Sequence, residues 1–193
     1  MTSWNPTRLF SNRSVEQETS GKWSHLQREI GAADEATLAE PDNVREIIER
    51  QIGGPVPELQ RERATFPLDT VGATTVVQVV LPYTGSSSYF WVKPSSATRT
   101  PVVEAQVESS GFDRPDTYTL TLRNTWPSGV EPATVKAWAR ERVDLIEAYL
   151  TALRDEFAEA DRELRQEAES LAANRLQGLR NERVLAEGLG EGI

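Results

Sequence analysis

The residues best suited to chemistry by type lie in one glycine and serine loop, TGSSS at residues 84–88. A serine hydroxyl acts as a nucleophile only beside a base, and the single histidine, His25, lies in a distant helical segment. A phosphate-binding loop of the Walker type needs a lysine between a strand and a helix. This loop has no lysine and precedes the strand-like YFWV. The sequence therefore predicts a hairpin turn between two strands, since Gly and Ser are common turn residues.

The other reactive side chains lack the surroundings that catalysis or metal binding requires. His25 has neither a cysteine nor a second histidine to complete a transition-metal site. The acidic residues between positions 155 and 163 follow one helix, whereas Mg²⁺ and Ca²⁺ take oxygen ligands from a loop or from several elements. The 30 acidic residues make many accidental pairs, so no carboxylate pair is singled out for acid and base catalysis. We expect a protein that is not an enzyme, with no catalytic, metal-binding or cofactor-binding residue.

The amino-acid composition limits the cellular locations and the classes of binding partner that we expect for this protein. The 193 residues include 21 Lys and Arg against 30 Asp and Glu, and the formal net charge of −9 disfavours binding to a phosphate backbone. The chain has no cysteine, which permits an intracellular location, and no apolar run near the roughly 20 residues that a membrane span needs. Its first residues lack the apolar core of a secretory signal. We expect a cytoplasmic protein that binds neither nucleic acid nor a membrane.

The N-terminal third predicts a tail followed by helices. Residues 1–20 show no apolar period, and a flexible tail is expected there. Apolar residues recur at helical spacing over residues 22–39 and again over residues 42–52. The second of these helices is expected to begin with Asp42 as its N-cap and to end at the Gly-Gly-Pro sequence of residues 53–55.

Four strands are predicted next. Residues 74–83 are rich in β-branched residues and apolar at nearly every position, as expected of a central strand covered on both faces. Three further segments, residues 89–93, 102–108 and 117–123, follow at short intervals, and the last two alternate apolar and polar residues. Because short turn-forming segments join them, the strands are predicted to form an antiparallel meander.

A long helical segment completes the chain. From about residue 131 to residue 187 the apolar period is helical, and Gly178 is the only glycine. This arm is predicted to be one long helix or a helical hairpin that bends near Ala160. The predicted fold class is α+β, with a small antiparallel meander of about four strands packed with helices and this C-terminal arm. The tail of residues 1–20 is followed by a single domain over residues 21–193.

Three short motifs occur in an order that resembles a bacterial module. They are PYTG at residues 82–85, KPS at residues 93–95 and RNER at residues 180–183. In this order they resemble the uncharacterised N-terminal region found ahead of TIR or restriction-endonuclease-like effector domains in bacterial proteins thought to act in antiphage defence. The resemblance covers about residues 43–193. The chain departs from the module's L-G-x-P exit, since Gly192 stands where proline is expected.

The resemblance implies a regulatory or sensing role, because the chemistry of such proteins belongs to the effector that follows. We expect a non-enzymatic regulatory or adaptor module that binds an effector, a nuclease or TIR protein, and transmits a signal to it. Partner binding is expected at an aromatic hairpin and at a leucine seam of the arm, where a partner helix would dock. The hairpin residues are Tyr83, Tyr89, Phe90 and Trp91, and the seam residues are Leu164, Leu171, Leu176 and Leu179.

Two alternatives stay open at this point. A self-associating structural protein with a homomeric coiled-coil arm would need no second gene product and would purify as a stable oligomer. A hydrolase that uses carboxylates alone or Mg²⁺ would reveal itself by activity on a substrate panel, and EDTA would abolish the activity of the Mg²⁺ form.

Overall fold

The computed structural model describes residues 4–97, 103–108 and 118–190. The strands are β1 (Thr7–Arg8), β2 (Arg13–Ser14), β3 (Glu58–Leu59), β4 (Leu68–Val71), β5 (Thr74–Thr84), β6 (Val92–Lys93), β7 (Glu104–Glu108) and β8 (Tyr118–Pro127). The helices are α1 (Val15–Ala32), α2 (Glu35–Ala39), α3 (Pro41–Ile52) and α4 (Pro132–Gly190). The coarse fold prediction is confirmed, since helices accompany an antiparallel sheet and a long helix lies near the C-terminus.

The chain divides into two compact units, each assembled from two separate stretches of sequence. The sheet unit comprises Met1–Val15 and Gly54–Glu156, and the helical unit comprises Glu16–Gly53 and Phe157–Ile193. The sequence predicts a different organisation, a tail over residues 1–20 followed by one domain. Helix α4 contributes residues to both units.

Regular elements occupy much of the region expected to be a flexible tail. Strand β1 pairs antiparallel with β7, β2 pairs parallel with β6, and α1 begins at Val15. Leu9 and Phe10, between the two strands, are fully buried. The Phe10 ring lies 5.0 Å from the Tyr149 ring, measured between centroids. The structure therefore corrects the expected tail. Two isolated anchoring side chains produce no apolar period, so the pattern of the sequence did not reveal them.

The sheet unit is built on a six-stranded sheet in the order β1-β7-β8-β5-β3, and β4 also pairs with β5. All pairings in this sheet are antiparallel. Along β5, the side chains of Val77, Val79, Leu81 and Tyr83 are buried, while those between them are half-buried. The first half of α4 supplies matching apolar residues, of which Ile146 is fully buried.

The predicted four-strand meander is not confirmed. Strand β5 pairs with β8, and the segment expected to be the next strand instead forms a 3-10 turn over Ser87–Trp91 before the short β6. A short apolar run does not distinguish a strand from a tight turn that buries the same side chains. The predicted strands at residues 102–108 and 117–123 correspond to β7 and β8, apart from residues 102 and 117, which lie outside the described residues.

The helical unit packs α1, α2, α3 and the second half of α4 around one apolar cluster. Its buried members are Leu26, Ile30, Leu38, Ile47, Ile48, Ile52, Leu164, Ala168 and Ala172. Ion pairs join Lys22 to Asp161 and Glu35 to Arg183, at 3.0 Å each. Lys22 belongs to α1 and Glu35 to α2, so ion pairs connect both of these helices to the second half of α4. Helix α4 continues through Ala160, so the arm is a single helix and not a hairpin.

The start of α3 corrects the predicted cap. Its N-cap is Glu40, whose side chain makes no capping hydrogen bond, and Pro41 occupies the first turn. Proline is favoured at that position, because its missing N–H is one that the helix leaves unpaired. Asp42 lies in the first turn and forms an exposed ion pair with Arg45 at 2.9 Å.

Candidate functional site

The four aromatic residues predicted to bind a partner lie within the sheet unit. Tyr83, Tyr89 and Phe90 are buried, and Trp91 is half-buried. The Tyr83 ring meets Phe90 edge-on at 5.0 Å and stacks on Tyr118 at 5.5 Å, between centroids. Burial raises the pKa of Tyr83 to about 12. In this conformation the buried aromatic side chains are core residues and form no exposed binding surface.

The glycine and serine loop is a turn with a structural requirement for glycine. Gly85 has a φ of 91°, and a Cβ atom there would lie 2.7 Å from the Pro55 carbonyl oxygen. The Ser86 amide donates to that same oxygen at 2.8 Å, and the Ser86 and Ser88 hydroxyls lie 2.9 Å apart. The loop leads into the 3-10 turn, so the predicted hairpin is wrong. The Ser86 and Ser88 hydroxyls pair with each other, and His25 instead contacts Arg28 within α1.

The motifs of the bacterial resemblance also have packing roles. Pro94 of the KPS motif is buried, and the next backbone amides, those of Ser95 and Ser96, donate to the Glu156 carboxylate at 2.9 and 3.3 Å. In the RNER motif, Arg183 pairs with Glu35 at 3.0 Å. These contacts explain why such residues suit this fold, and they add no chemistry.

The predicted leucine seam belongs to the core of the helical unit. Leu164 is buried in the apolar cluster, and Leu171, Leu176 and Leu179 are half-buried against it. The seam therefore packs on the protein's own cluster, which includes residues of α1 and α3. Helical spacing identified an apolar face correctly, but the spacing does not reveal which helix covers it.

The large apolar side chains that remain exposed in the described part of the chain fall in two places. Phe66 and Leu68 form the edge patch, on β4 and the residues just before it in the sheet unit, and Val71 lies at the end of the same strand on its other face. Val184, Leu185 and Leu189 form the terminal patch, on the last turns of α4 in the helical unit. Each of these side chains is at least 49 % exposed. None of the six has a spacing in the sequence that predicts a binding surface.

A groove lies beside the edge patch. It consists of two adjoining cavities of about 390 and 240 Å³ that share Phe66 and Lys136 in their walls. Leu68, Thr70 and Val77 line the larger cavity on the strand side, and the first turns of α4 line the other side. We call the two cavities together the edge groove. Strands β4 and β5 form an antiparallel hairpin beside this groove, and the sequence carried one signal for it, since Gly72 lies between two runs rich in strand-forming residues.

The charged residues that line the edge groove are all cations: Arg61, Lys136 and Arg140. Arg61 donates to Glu147 at 2.5 Å and to Asp144 at 2.6 Å, and the hydrogen bond to Glu147 is the main cause of its raised pKa. Lys136 and Arg140 form no ion pair with any residue in the described ranges. The groove is thus apolar with two cations available at its wall.

Two other features, a metal-binding cluster and a membrane-spanning helix, are absent from the described residues. No cluster of three or more His, Asp or Glu side chains is arranged to hold a metal ion within residues 4–97, 103–108 and 118–190. No helix in those ranges is both long enough and apolar enough to span a bilayer. Comparison of the chain with protein-family models, curated proteins and solved structures finds no match in any of the three.

Proposed function

We propose that this protein is a non-enzymatic regulatory or adaptor module that binds a protein effector and transmits a signal to it. One observation supports the proposal: the exposed large apolar side chains of the described residues lie in two short segments, one in each unit. Contiguous exposed apolar surface commonly marks a site of protein interaction. An adaptor needs two such sites, one for the trigger and one for the effector.

The roles of the two patches follow from their elements. The edge patch lies beside a groove, which suits recognition of a trigger. The terminal patch lies on a helix face, which suits docking of an effector helix. Helix α4 contributes residues to both units and would carry the signal. An antiphage setting, with a nuclease or TIR effector in the bacterial cytoplasm, rests on the motif resemblance alone and is part of the proposal.

The terminal patch provides the test. The tagged protein is expressed in its native host, and the bound proteins are quantified by mass spectrometry. Leu185→Glu with Leu189→Glu should remove the effector from the bound set, because two charges then replace the apolar contact. Asn174→Glu with Asn181→Glu is the matched control, since it adds the same charge at exposed polar positions of the same helix. An identical set of bound proteins for both variants would contradict the proposal.

The same patch favours one second candidate, a self-associating structural protein whose arm forms a homomeric coiled coil. The exposed Leu185 and Leu189 are four residues apart and lie on one side of the helix. Light scattering during gel filtration separates the two functions. A stable oligomer of the purified protein that Leu185→Glu with Leu189→Glu converts to a monomer would favour self-association.

A further inference from the structure

We propose that the edge groove binds an extended acidic segment of a protein partner, which pairs with the free edge of β4. The partner strand would extend the sheet, place apolar side chains in the groove and present a carboxylate to Lys136 and Arg140. This inference deepens the proposed function and rests on it, since it specifies the chemistry of the partner recognised at the edge patch.

The backbone of β4 and the residues before it presents a regular free edge. Thr65 and Val80 exchange two backbone hydrogen bonds of 3.0 Å, and the Gln78 amide donates to the Pro67 carbonyl at 3.0 Å. Backbone groups alternate in direction along a strand, so the odd-numbered residues 65 to 71 face β5 and the even-numbered ones face away. No strand among the described residues pairs with that outer edge. Phe66, Leu68 and Thr70 thus offer their amides and carbonyls to a partner.

The position of proline leaves this edge competent for pairing. Natural edge strands often carry a proline or an inward-pointing charge that blocks pairing with another chain. Here the segment from residue 58 to residue 71 has one proline, Pro67, and it falls at a position that faces β5. The outward positions therefore all keep their N–H donors, and strand addition is the mode of recognition that such an edge supports.

The side chains next to this edge define what the partner strand must carry. Leu68 and Thr70 stand opposite Val77 and Thr75 in the register, and all four line the larger cavity. A strand added beside β4 would direct every second side chain toward the same groove. Those side chains must be apolar, whereas a carboxylate within reach of Lys136 and Arg140 would form charge-assisted hydrogen bonds.

Charge also selects a partner protein over a second copy of this chain. A second copy paired edge to edge would bring its own Lys136 and Arg140 to the same groove. The one acid within β4, Asp69, alternates to the face opposite Leu68 and Thr70. The β4 strand of a second copy therefore lacks the complementary carboxylate, while an acidic segment of another protein supplies it.

The test selects peptides on the intact protein. A displayed library of random ten-residue peptides is panned against the full chain, and the enriched peptides are synthesised with fluorescein for anisotropy titrations. We expect alternating apolar residues with at least one Asp or Glu. Lys136→Glu with Arg140→Glu should weaken their binding by at least about tenfold, the size of a lost charge-assisted hydrogen bond. Binding should return when the peptide acids are replaced by lysine.

Two single variants examine the backbone pairing. Thr70→Pro removes one outward-facing amide donor and leaves the bonds to β5, so affinity should fall by about threefold to tenfold. Asp69→Ala is the matched control in the same strand, because its side chain lies on the opposite face, and it should leave affinity unchanged. Circular dichroism of each variant verifies that the fold is retained.

Three outcomes would overturn the inference. The first is a selection that enriches no peptide, or only basic or neutral ones. The second is peptide binding that Lys136→Glu with Arg140→Glu and Thr70→Pro both leave unchanged but that Leu185→Glu abolishes. In that case the proposed function survives with its recognition site at the terminal patch. The third is a dimer, seen by sedimentation, that Thr70→Pro dissociates, since a second copy would then occupy the edge.

Discussion

The helical unit and the sheet unit bury their apolar residues in different ways. In the helical unit the buried residues are those that recur at helical spacing, such as Leu26, Ile30 and Leu164. In the sheet unit several of the most buried side chains, including Phe10 and Phe90, come from segments with no period. Periodicity therefore identifies a core residue where an element packs along its length. Where a short segment anchors itself by one or two side chains, only the fold identifies it.

The largest expected effect comes from truncating a buried side chain. It tests whether a residue from a segment without an apolar period stabilises the protein as much as a residue at helical spacing. Phe90→Ala should cost about 3–5 kcal/mol of stability, because the ring is fully buried against Tyr83 and leaves a cavity. Ile48→Ala, at 2 % exposure, is the matched change in the helical unit. Urea denaturation measures the loss, and hydrogen exchange locates it. Exchange that rises first in β5 and β8 for Phe90→Ala, and in α1 and α3 for Ile48→Ala, would support the comparison. Equal loss of protection everywhere would show that the units do not respond separately.

A buried ion pair distinguishes the helical unit from the apolar core of the sheet unit. Lys22 is 9 % exposed, pairs with Asp161 at 3.0 Å and lies 4.7 Å from the centroid of the Phe157 ring. Lys22→Met should cost about 1–3 kcal/mol in urea denaturation, because it leaves the Asp161 carboxylate without this partner. Adding Asp161→Leu should restore most of the loss, since a buried pair is often replaceable by apolar residues. A double variant that stays far less stable than the wild type would show that the pair contributes more than its desolvation costs.

A glycine exchange compares backbone strain in the two units. Gly85→Ala should destabilise the protein by about 1–3 kcal/mol, because it combines a φ of 91° with a 2.7 Å approach to the Pro55 carbonyl. Gly31→Ala within α1 meets nothing within 4 Å and should stabilise by about 0.5–1 kcal/mol. Thermal unfolding of the two variants measures whether each change raises or lowers the stability of the protein. A neutral Gly85→Ala would mean that the loop before the 3-10 turn shifts easily.

Alkaline pH should act on the sheet unit through Tyr83. Its pKa is raised from 10.0 to about 12 by burial, so the folded state holds the proton where the unfolded state releases it. The stabilising contribution is complete below pH 10 and is lost as the pH rises through about 12. Tyr83→Phe should flatten this alkaline decline in urea midpoints measured from pH 8 to 11. Parallel curves for the variant and the wild type would assign the decline to other groups.

Acidic pH should lower the stability of the helical unit, by a smaller amount than alkaline pH lowers the stability of the sheet unit. Two hydrogen bonds from Arg165, of 2.8 and 3.1 Å, lower the pKa of Glu49 from its ordinary value of 4.5. The contribution is present above pH 4.5 and disappears as the pH falls through the lowered value. Both side chains are partly exposed, so the difference between wild type and Glu49→Gln should stay below about 1 kcal/mol. Urea midpoints at pH 3 and pH 7 measure it, and a pH-independent difference would rule out the carboxylate as its source.

The sequence predicted elements better than it predicted their partners. The long helix, the central strand and the two last strands are found close to their expected ranges, because each is a sustained run of periodic or continuously apolar residues. The pairing of β5 with β8, across more than thirty intervening residues, depends on tertiary contacts that no local pattern encodes. The burial of the predicted partner-binding residues was not evident from the sequence for a related reason. Spacing identified apolar residues such as Phe90 and Leu164 correctly, but burial is decided by what covers them.

The helical unit is assembled from two separate stretches of sequence, and this affects the nascent chain during synthesis. Its first three helices leave the ribosome about 100 residues before the second half of α4, because the second stretch of the sheet unit is encoded between them. At a synthesis rate of roughly 5–20 residues per second, the apolar faces of these helices stay uncovered for about 5–20 s, until the second half of α4 has been synthesised. A nascent chain in that interval exposes Ile47 and Ile48 without a core to receive them. This interval is where chaperone binding to the nascent chain should be strongest.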